Sequence, residues 1–199
     1  MEEISTIEQD VLAALRQATE QRHAELDSST PLAAGEVDLR AYHDHLQLLE
    51  QWLAPIQAWM GRFDDGPTLP AYLDAIRADL AHPAFAGMPP ARSGTVVEWP
   101  ARRAAAWRWG VCYVIEGSQL GGSVLYKRLA ERLAPHPLDY LRGAGSPGTR
   151  WQQFLSALRE HVVDARDIAE ACEGARQAFD SLIALNRARF DQSEPRGAV

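Results

Sequence analysis

The chain has 199 residues, of which 46% are hydrophobic, and a formal net charge of −7. This length and composition predict a single domain, with residues 1–190 folded and residues 191–199 as a flexible tail. The acidic charge argues against nucleic-acid binding. The sequence has no apolar run of about 20 residues and no basic, apolar leader. We therefore expect a cytoplasmic protein without a membrane span.

Apolar residues recur at helical spacing along the chain, and no segment alternates like a strand. Ser5 followed by Glu8 is typical of a capping box, which predicts a first helix that continues to about residue 29. Asp38 predicts the start of a second helix that continues to Phe63. Both helices are amphipathic, so each has one face directed at a core.

The second predicted helix contains Pro55, where we expect a bend. Proline, glycine and small residues mark the boundaries of the later elements. These elements are a short helix from Thr68 and Pro70, a loop over 82–99, a long helix from Pro100 to Pro135, a loop over 135–149, and helices over 151–161 and 164–190. The predicted class is all-α, with six or seven helices.

The long fourth helix contains Gly117, Gly121 and Gly122. Each glycine costs about 1 kcal/mol relative to alanine inside a helix. Together with Gly110 they form a strip without side chains, where we expect the helix to break or kink. Either a neighbouring helix crosses this strip, or a flat ligand lies against the exposed main chain.

His23 shares a face of the first helix with Leu12 and Leu26, so we expect it to point toward the core. A histidine in such a position is either an iron ligand or a hydrogen-bonded core residue. Asp27, one turn later, can accept a proton from the second ring nitrogen. Arg16, two turns earlier, can pair with a carboxylate on a ligand.

Two segments of the chain resemble the heme oxygenase family. Residues 15–23, Leu-Arg-Gln-Ala-Thr-Glu-Gln-Arg-His, are similar to the segment that ends on the family's axial histidine. Residues 113–122, Tyr-Val-Ile-Glu-Gly-Ser-Gln-Leu-Gly-Gly, are similar to its distal helix, in the version found in heme oxygenases that supply bacteriophytochromes. The order and separation of the two segments also match the family.

The resemblance implies a helical bundle that holds heme between the first helix and the glycine-rich helix. His23 is then the axial ligand of the heme iron, and Asp27 is its hydrogen-bond partner. Arg16 is a contact for one heme propionate. Tyr113 and Arg159 are candidates for the second propionate or the heme edge.

On the opposite side of the heme, the resemblance implies a wall formed by Gly117, Gly121 and Gly122. This wall admits dioxygen and water and carries no distal histidine, which agrees with ring opening rather than peroxidase chemistry. Many family members have aspartate where this chain has Ser118, and a serine hydroxyl can also hold a water molecule.

The implied reaction opens heme to biliverdin and releases carbon monoxide and ferrous iron. Heme is both substrate and cofactor, and dioxygen is the oxidant. The sequence contains no flavin or nicotinamide fingerprint, so electrons come from an external donor, a reductase or a ferredoxin-type protein. A bacteriophytochrome is a candidate recipient of the biliverdin.

Three alternatives use the same helical pattern. Glu20-x-x-His23 has the spacing of a di-iron carboxylate site, but the second copy, Asp79-x-x-His82, is followed by proline and lies at the end of a helix. Cys112 occupies a helix comparable to the one that carries the nucleophile of thiamin-degrading enzymes. A heme-binding protein without catalysis is the third alternative.

Overall fold

The computed structural model describes residues 10–33, 36–90, 98–101 and 104–190. This part of the chain is helical and contains no strand, which confirms the all-α prediction. The helices are α1 (Val11–Ser29), α2 (Leu39–Met60), α3 (Tyr72–Leu80), α4 (Ala105–Leu129), α5 (Asp139–Arg142), α6 (Pro147–His161) and α7 (Ala165–Phe190), with short 3-10 turns at Pro31–Ala33 and Pro83–Phe85. None of these helices is long and apolar enough to cross a membrane.

Side-chain caps define the first two helix starts. The backbone N–H of Ala41 donates to Asp38 at 2.8 Å, which confirms the predicted cap of α2. In α1 the carboxylate of Asp10 accepts the N–H of Leu12 at 3.3 Å. The predicted capping box of Ser5 and Glu8 lies outside the described residues, as does the predicted tail over 191–199.

Helices predicted from a proline begin later than the proline. The short helix predicted from Pro70 begins at Tyr72, and the long helix predicted from Pro100 begins at Ala105. The second helix continues through Pro55 and ends at Met60. A proline therefore marks the region of a start to within a few residues but not the first helical residue.

The prediction of a loop over 135–149 is wrong, because this stretch contains α5 and the first residues of α6. The carboxylate of Asp79 accepts the backbone N–H of Asp139 at 3.1 Å and that of Tyr140 at 2.9 Å. These bonds satisfy the N–H groups at the start of α5. The stabilising group comes from α3, about sixty residues earlier in the chain, so local sequence does not reveal it.

Helices α4 and α7 cross at a contact between their main chains. A Cβ atom added to Gly110 would lie 1.8 Å from the carbonyl oxygen of Ala171, and one added to Gly174 would lie 1.9 Å from that of Trp107. Only glycine allows such an approach. Two explanations were open for the glycine strip, a crossing helix or a flat ligand. For Gly110 the crossing helix is the explanation.

Helix α1 lies beside α7 and is joined to it by side chains. Arg22 donates to Asp180 at 2.7 and 3.0 Å, and Arg187 donates to Glu25 at 2.6 Å. Helix α4 packs extensively on α7 but hardly touches α1 in the described part of the chain. Helices α1 and α4 thus both pack on α7 and make few contacts with each other, and we call the region between them the slot.

We predict opposite effects on stability for two glycines of α4. Gly110→Ala should lower the free energy of unfolding by about 3 kcal/mol, because the new methyl overlaps the backbone of α7. Gly121→Ala should leave the free energy of unfolding unchanged or raise it by up to about 1 kcal/mol, since a Cβ there meets no atom within 4 Å. Urea unfolding of both variants measures the difference, and equal destabilisation by the two substitutions would contradict this account.

Candidate functional site

Helices α1, α4 and α7 meet at one end of the slot. The side chains of Arg16 on α1 and Cys172 on α7 both lie close enough to Tyr113 on α4 to influence its pKa. Burial raises the pKa of Tyr113, and the Arg16 guanidinium opposes this rise. Because Arg16 is exposed, the cluster presents a cation and a phenol hydroxyl at the mouth of the slot. Such a pair suits a carboxylate.

His23 lies on the exposed side of α1. Its side chain is 65% exposed, whereas Leu26 is buried, so the expectation that His23 points toward the core is wrong. The reason is that α7 covers a stripe of α1 centred on the leucines, and His23 lies at the edge of that stripe. The imidazole therefore lies at the protein surface rather than in the packed interior.

Two neighbours orient the His23 ring. Its Nδ1 lies 2.9 Å from the carboxylate of Asp27, one turn later on α1, as the sequence predicts. The ring of Phe179 from α7 lies on another side, with the ring centroids 6.0 Å apart. Because Nδ1 faces Asp27, Nε2 is the ring nitrogen that remains available to a ligand. Periodicity on α1 gives no signal for Phe179, since that contact depends on how α7 packs.

Helix α4 is continuous from Ala105 to Leu129, so the predicted break at its glycines is wrong. A Cβ atom added to Gly121 would meet nothing within 4 Å among the described residues, and one added to Gly117 would meet the ring of Trp151 at 3.8 Å. Unlike Gly110, neither glycine is required by a close approach of another main chain. Gly121 leaves exposed main chain on α4, whereas Gly117 lies at ordinary contact distance from the Trp151 ring of α6.

An imidazole on α1 and exposed main chain on α4 lie within three turns of the Arg16–Tyr113 contact. His23 is seven residues beyond Arg16, and Gly121 is eight beyond Tyr113, which is about 10–12 Å along each helix. Seven residues bring His23 back to nearly the face of Arg16, whereas eight place Gly121 about 80° around α4 from Tyr113. The two helices thus carry a cation and a phenol hydroxyl near each other, an exposed histidine on α1 and exposed backbone on α4.

Ser118 lies beside the two open glycines and is itself exposed. Its hydroxyl donates to the carbonyl oxygen of Ile115 at 2.7 Å. Gly122, in contrast, is covered by α5, because a Cβ there would lie 3.5 Å from the Leu141 side chain. Sequence analysis missed α5, although the acidic residue Asp139 and the closing glycine after Arg142 are a weak signal for a short helix.

A buried ion pair holds α4 next to Gly117. The side chain of Glu116 is 2% exposed and accepts hydrogen bonds from both nitrogens of the Arg150 fork, with Nε at 2.9 Å. The hydroxyl of Tyr72 donates to the same carboxylate at 2.7 Å. This cluster ties α3, α4 and α6 together, and sequence analysis did not identify it.

Arg159 is not brought to the rest of the site. It lies on α6, where its guanidinium is 3.7 Å from the carboxylate of Asp10 at the start of α1. His23 is thirteen residues further along α1, which is about 20 Å of helix. The other predicted residues lie on the two walls of the slot or at its mouth.

The described residues favour neither the di-iron nor the thiol alternative. They contain no group of three or more histidine, cysteine, aspartate or glutamate side chains placed to hold a metal ion. The carboxylate of Asp79 accepts hydrogen bonds from Tyr42 and from the start of α5, and the ring of His82 lies against that of His136, with the ring centroids 4.5 Å apart and the planes tilted. Burial raises the pKa of the Cys112 thiol, which disfavours the thiolate that a nucleophile requires.

Comparison with known proteins shows similarity to heme oxygenases in sequence and in fold. The model of the family described as Heme oxygenase matches residues 96–188. A heme oxygenase of Xanthomonas campestris pv. campestris (strain 8004) is 32% identical over 173 residues, which cover 83% of this chain and 92% of the relative. The structure of the NO- and CO-bound heme oxygenase from Neisseria meningitidis matches with a TM-score of 0.67 at 22% identity, over 96% of this chain and 98% of that chain. The structural match shows a shared fold.

We predict that Arg150→Met destabilises the protein by about 2–3 kcal/mol, because it leaves the buried carboxylate of Glu116 without its cation. The midpoint temperature of thermal unfolding should fall by roughly 5–10 °C for a domain of this size. Replacing both partners by methionine should recover much of the loss. Arg159→Met, at an exposed ion pair, is the matched control. An effect of Arg150→Met no larger than this control would refute the prediction.

Proposed function

Because this chain belongs to the heme oxygenase family, we propose that the slot between α1 and α4 holds heme and that the enzyme opens the ring to biliverdin, carbon monoxide and ferrous iron. One observation carries the assignment of the slot. Arg16 of α1 and Tyr113 of α4 lie near each other, and the same two helices carry an exposed imidazole, His23, and an exposed glycine, Gly121. A flat molecule with carboxylates on one edge and a metal at its centre fits that arrangement.

His23 is the proposed axial ligand of the iron. Asp27 accepts the Nδ1 proton, which fixes the tautomer with Nε2 unprotonated and directed to the metal. The partial negative charge that Asp27 confers on the ring makes the imidazole a stronger ligand. Phe179 limits rotation of the ring from the side of α7.

Arg16 and Tyr113 are the proposed contacts for the propionates. A guanidinium can bind a carboxylate through two parallel hydrogen bonds, and the phenol hydroxyl beside it adds a third donor. Their position at the mouth of the slot keeps the charged edge of heme near water while the apolar ring enters. Arg159 is left out of this assignment because it pairs with Asp10 instead.

The opposite wall is proposed to consist of Gly117, Ser118 and Gly121, whereas Gly122, which the sequence also assigned to it, is covered by Leu141 of α5. The open glycines let the ring approach the main chain more closely than any other residue would allow. Such a wall excludes bulky ligands and leaves room for a diatomic molecule, and Ser118 supplies a hydroxyl beside that space. When bound, heme supplies both the iron that activates dioxygen and the ring that is cleaved.

The electrons are proposed to come from an external reductase or a ferredoxin-type donor. We further propose a cytoplasmic enzyme whose biliverdin passes to a bacteriophytochrome. The resemblance of residues 113–122 to heme oxygenases that supply such photoreceptors supports the last proposal. The transfer can be tested by adding a bacteriophytochrome apoprotein during heme turnover. Growth of the red absorption band of the assembled bacteriophytochrome would show that it has received the biliverdin.

Substituting the proposed ligand should change the heme spectrum directly. His23→Ala should lose the absorption and resonance Raman features of a histidine-bound ferric heme, and added imidazole should restore them, because the site is exposed enough to admit it. Asp27→Asn should keep the ligand but weaken hemin affinity or turnover by about 10-fold. His161→Ala, at an exposed histidine on α6, is the control. A wild-type spectrum from His23→Ala would place the ligand elsewhere.

The open glycine provides a test that separates function from folding. Gly121→Ala should unfold at the same or a higher temperature than the unsubstituted protein and yet bind hemin more weakly and produce less biliverdin, because its methyl occupies the space of the ring. Gly148→Ala, at a glycine of α6 that also has nothing within 4 Å of an added Cβ, should leave binding unchanged. Hemin titration and thermal melts measure both quantities. Unaltered hemin affinity in Gly121→Ala would remove the glycines from the proposed wall.

A further inference from the structure

The ring of His136 is enclosed at the place where α5 begins. His136 is 3% exposed and lies three residues before the first residue of α5. Its ring centroid is 5.4 Å from that of Tyr42, 4.5 Å from that of His82 and 4.7 Å from that of Phe85. Because the ring is buried among these groups, its two nitrogens depend on protein partners for their hydrogen bonds.

The hydrogen bonds of the His136 ring determine where its proton lies. Nδ1 is 3.1 Å from the backbone nitrogen of Leu138, which can only donate, so Nδ1 is the acceptor and carries no proton. Nε2 is 3.2 Å from the carbonyl oxygen of Asp79, which can only accept, so Nε2 carries the ring proton. A second proton on Nδ1 would point at the N–H of Leu138 and remove that hydrogen bond.

The contact with Leu138 supports the start of α5. Leu138 has a φ of 53° and a ψ of 44°, a left-handed conformation that is strained for a residue other than glycine. The next two backbone N–H groups, those of Asp139 and Tyr140, donate to the Asp79 carboxylate at 3.1 and 2.9 Å. Two buried side chains, His136 and Asp79, therefore hold three successive N–H groups where α5 begins.

Helix α5 in turn covers part of α4. Leu141 is 1% exposed, and its side chain would lie 3.5 Å from a Cβ atom added to Gly122. The next glycine, Gly121, is exposed and belongs to the wall that we propose to face heme. Loosening of α5 therefore removes support from α4 directly beside that wall.

The groups around His136 favour its neutral form. Burial lowers the pKa of His136 below its ordinary value of 6.5, and His82, at the start of the second 3-10 turn, lowers it further. The backbone carbonyl and carboxylate of Asp79 on α3 and the carboxylate of Asp139 on α5 oppose this change. Helix α2 contributes Tyr42, whose hydroxyl donates to the Asp79 carboxylate at 2.5 Å. The ring is therefore protonated less easily when α5 is in place than when it is exposed to water.

We propose that His136 is a pH-sensitive latch that holds α5 against α4. At neutral pH the unprotonated Nδ1 binds the N–H of Leu138, and the strained entry into α5 is held in place. Protonation of Nδ1 removes this bond and favours a state in which α5 has left α4. The closed state has its full stability above about pH 6.5 and loses stability as the pH falls below that value, because the open state binds the proton more tightly. The latch is a property of the fold and does not depend on the proposed function.

Amide hydrogen exchange of residues 138–142 measures the opening of α5. After correction for the intrinsic pH dependence of exchange, protection in the unsubstituted protein should fall between about pH 7.5 and about pH 5.5. The fall should approach roughly ten-fold for each unit by which the pKa of His136 is lowered. His136→Asn should keep its protection at both pH values, because Oδ1 replaces Nδ1 as the acceptor and gains no proton. His136→Leu, which has no acceptor, should lose protection at both.

Two other histidines are the controls. His82 also accepts a backbone N–H through Nδ1, that of Ala84 at 3.2 Å, but this bond does not involve α5. His82→Asn should therefore keep the loss of protection at acid pH, and so should His161→Asn, at an exposed histidine on α6. An equal loss in His136→Asn and in the unsubstituted protein would refute the latch, as would a loss that only His82→Asn abolishes.

NMR of the histidine ring nitrogens in the unsubstituted protein decides the question even if a His136 variant does not fold. At neutral pH the ring of His136 should carry its proton on Nε2 and none on Nδ1. The ring should gain its second proton over the same pH range in which residues 138–142 lose protection. A proton on Nδ1 at neutral pH, or a loss of protection while the ring stays neutral, would overturn the proposal.

Discussion

The main-chain contact between α4 and α7 is the constraint on which the slot depends. At Gly110 and Gly174 the two backbones touch, so no side chain can adjust their spacing. Helix α1 lies on the same base, but longer side chains such as the Arg22–Asp180 pair join it to α7. Because the two walls are held on one helix by different kinds of contact, the space between them is a fixed part of the packing rather than the product of a mobile loop.

The glycines of α4 fall into two groups, which differ in whether contacts inside the protein offset their cost in helix stability. The cost of Gly110 is offset inside the protein, because the close crossing buries the surfaces of both helices. Gly117 and Gly121 have no such compensation, since an added methyl group would meet nothing closer than the Trp151 ring. Each still costs about 1 kcal/mol of helix stability. A cost without an internal benefit points to a ligand that uses the bare main chain.

The sequence predicted features that depend on residues close together in the chain. The cap at Asp38, the pair of His23 with Asp27 one turn later, and the periodic helices are all of this kind. The sequence did not predict features that depend on residues far apart in the chain. The exposure of His23 depends on how much of α1 is covered by α7, and α5 exists because of a carboxylate on α3. The contact of Arg16 with Tyr113 joins two helices that periodicity treats separately.

The two sides of the slot differ in how completely the protein organises them. The His23–Asp27 pair is largely exposed, so water competes with its hydrogen bond and the pair is weak. A flat apolar ligand that covers the pair lowers the local dielectric and strengthens it. The opposite wall is supported from behind by buried Asp79 and Glu116. If His23 holds the heme iron as proposed, loss of the iron would uncover the His23–Asp27 pair and weaken it, whereas the buried contacts of Asp79 and Glu116 do not depend on the ligand.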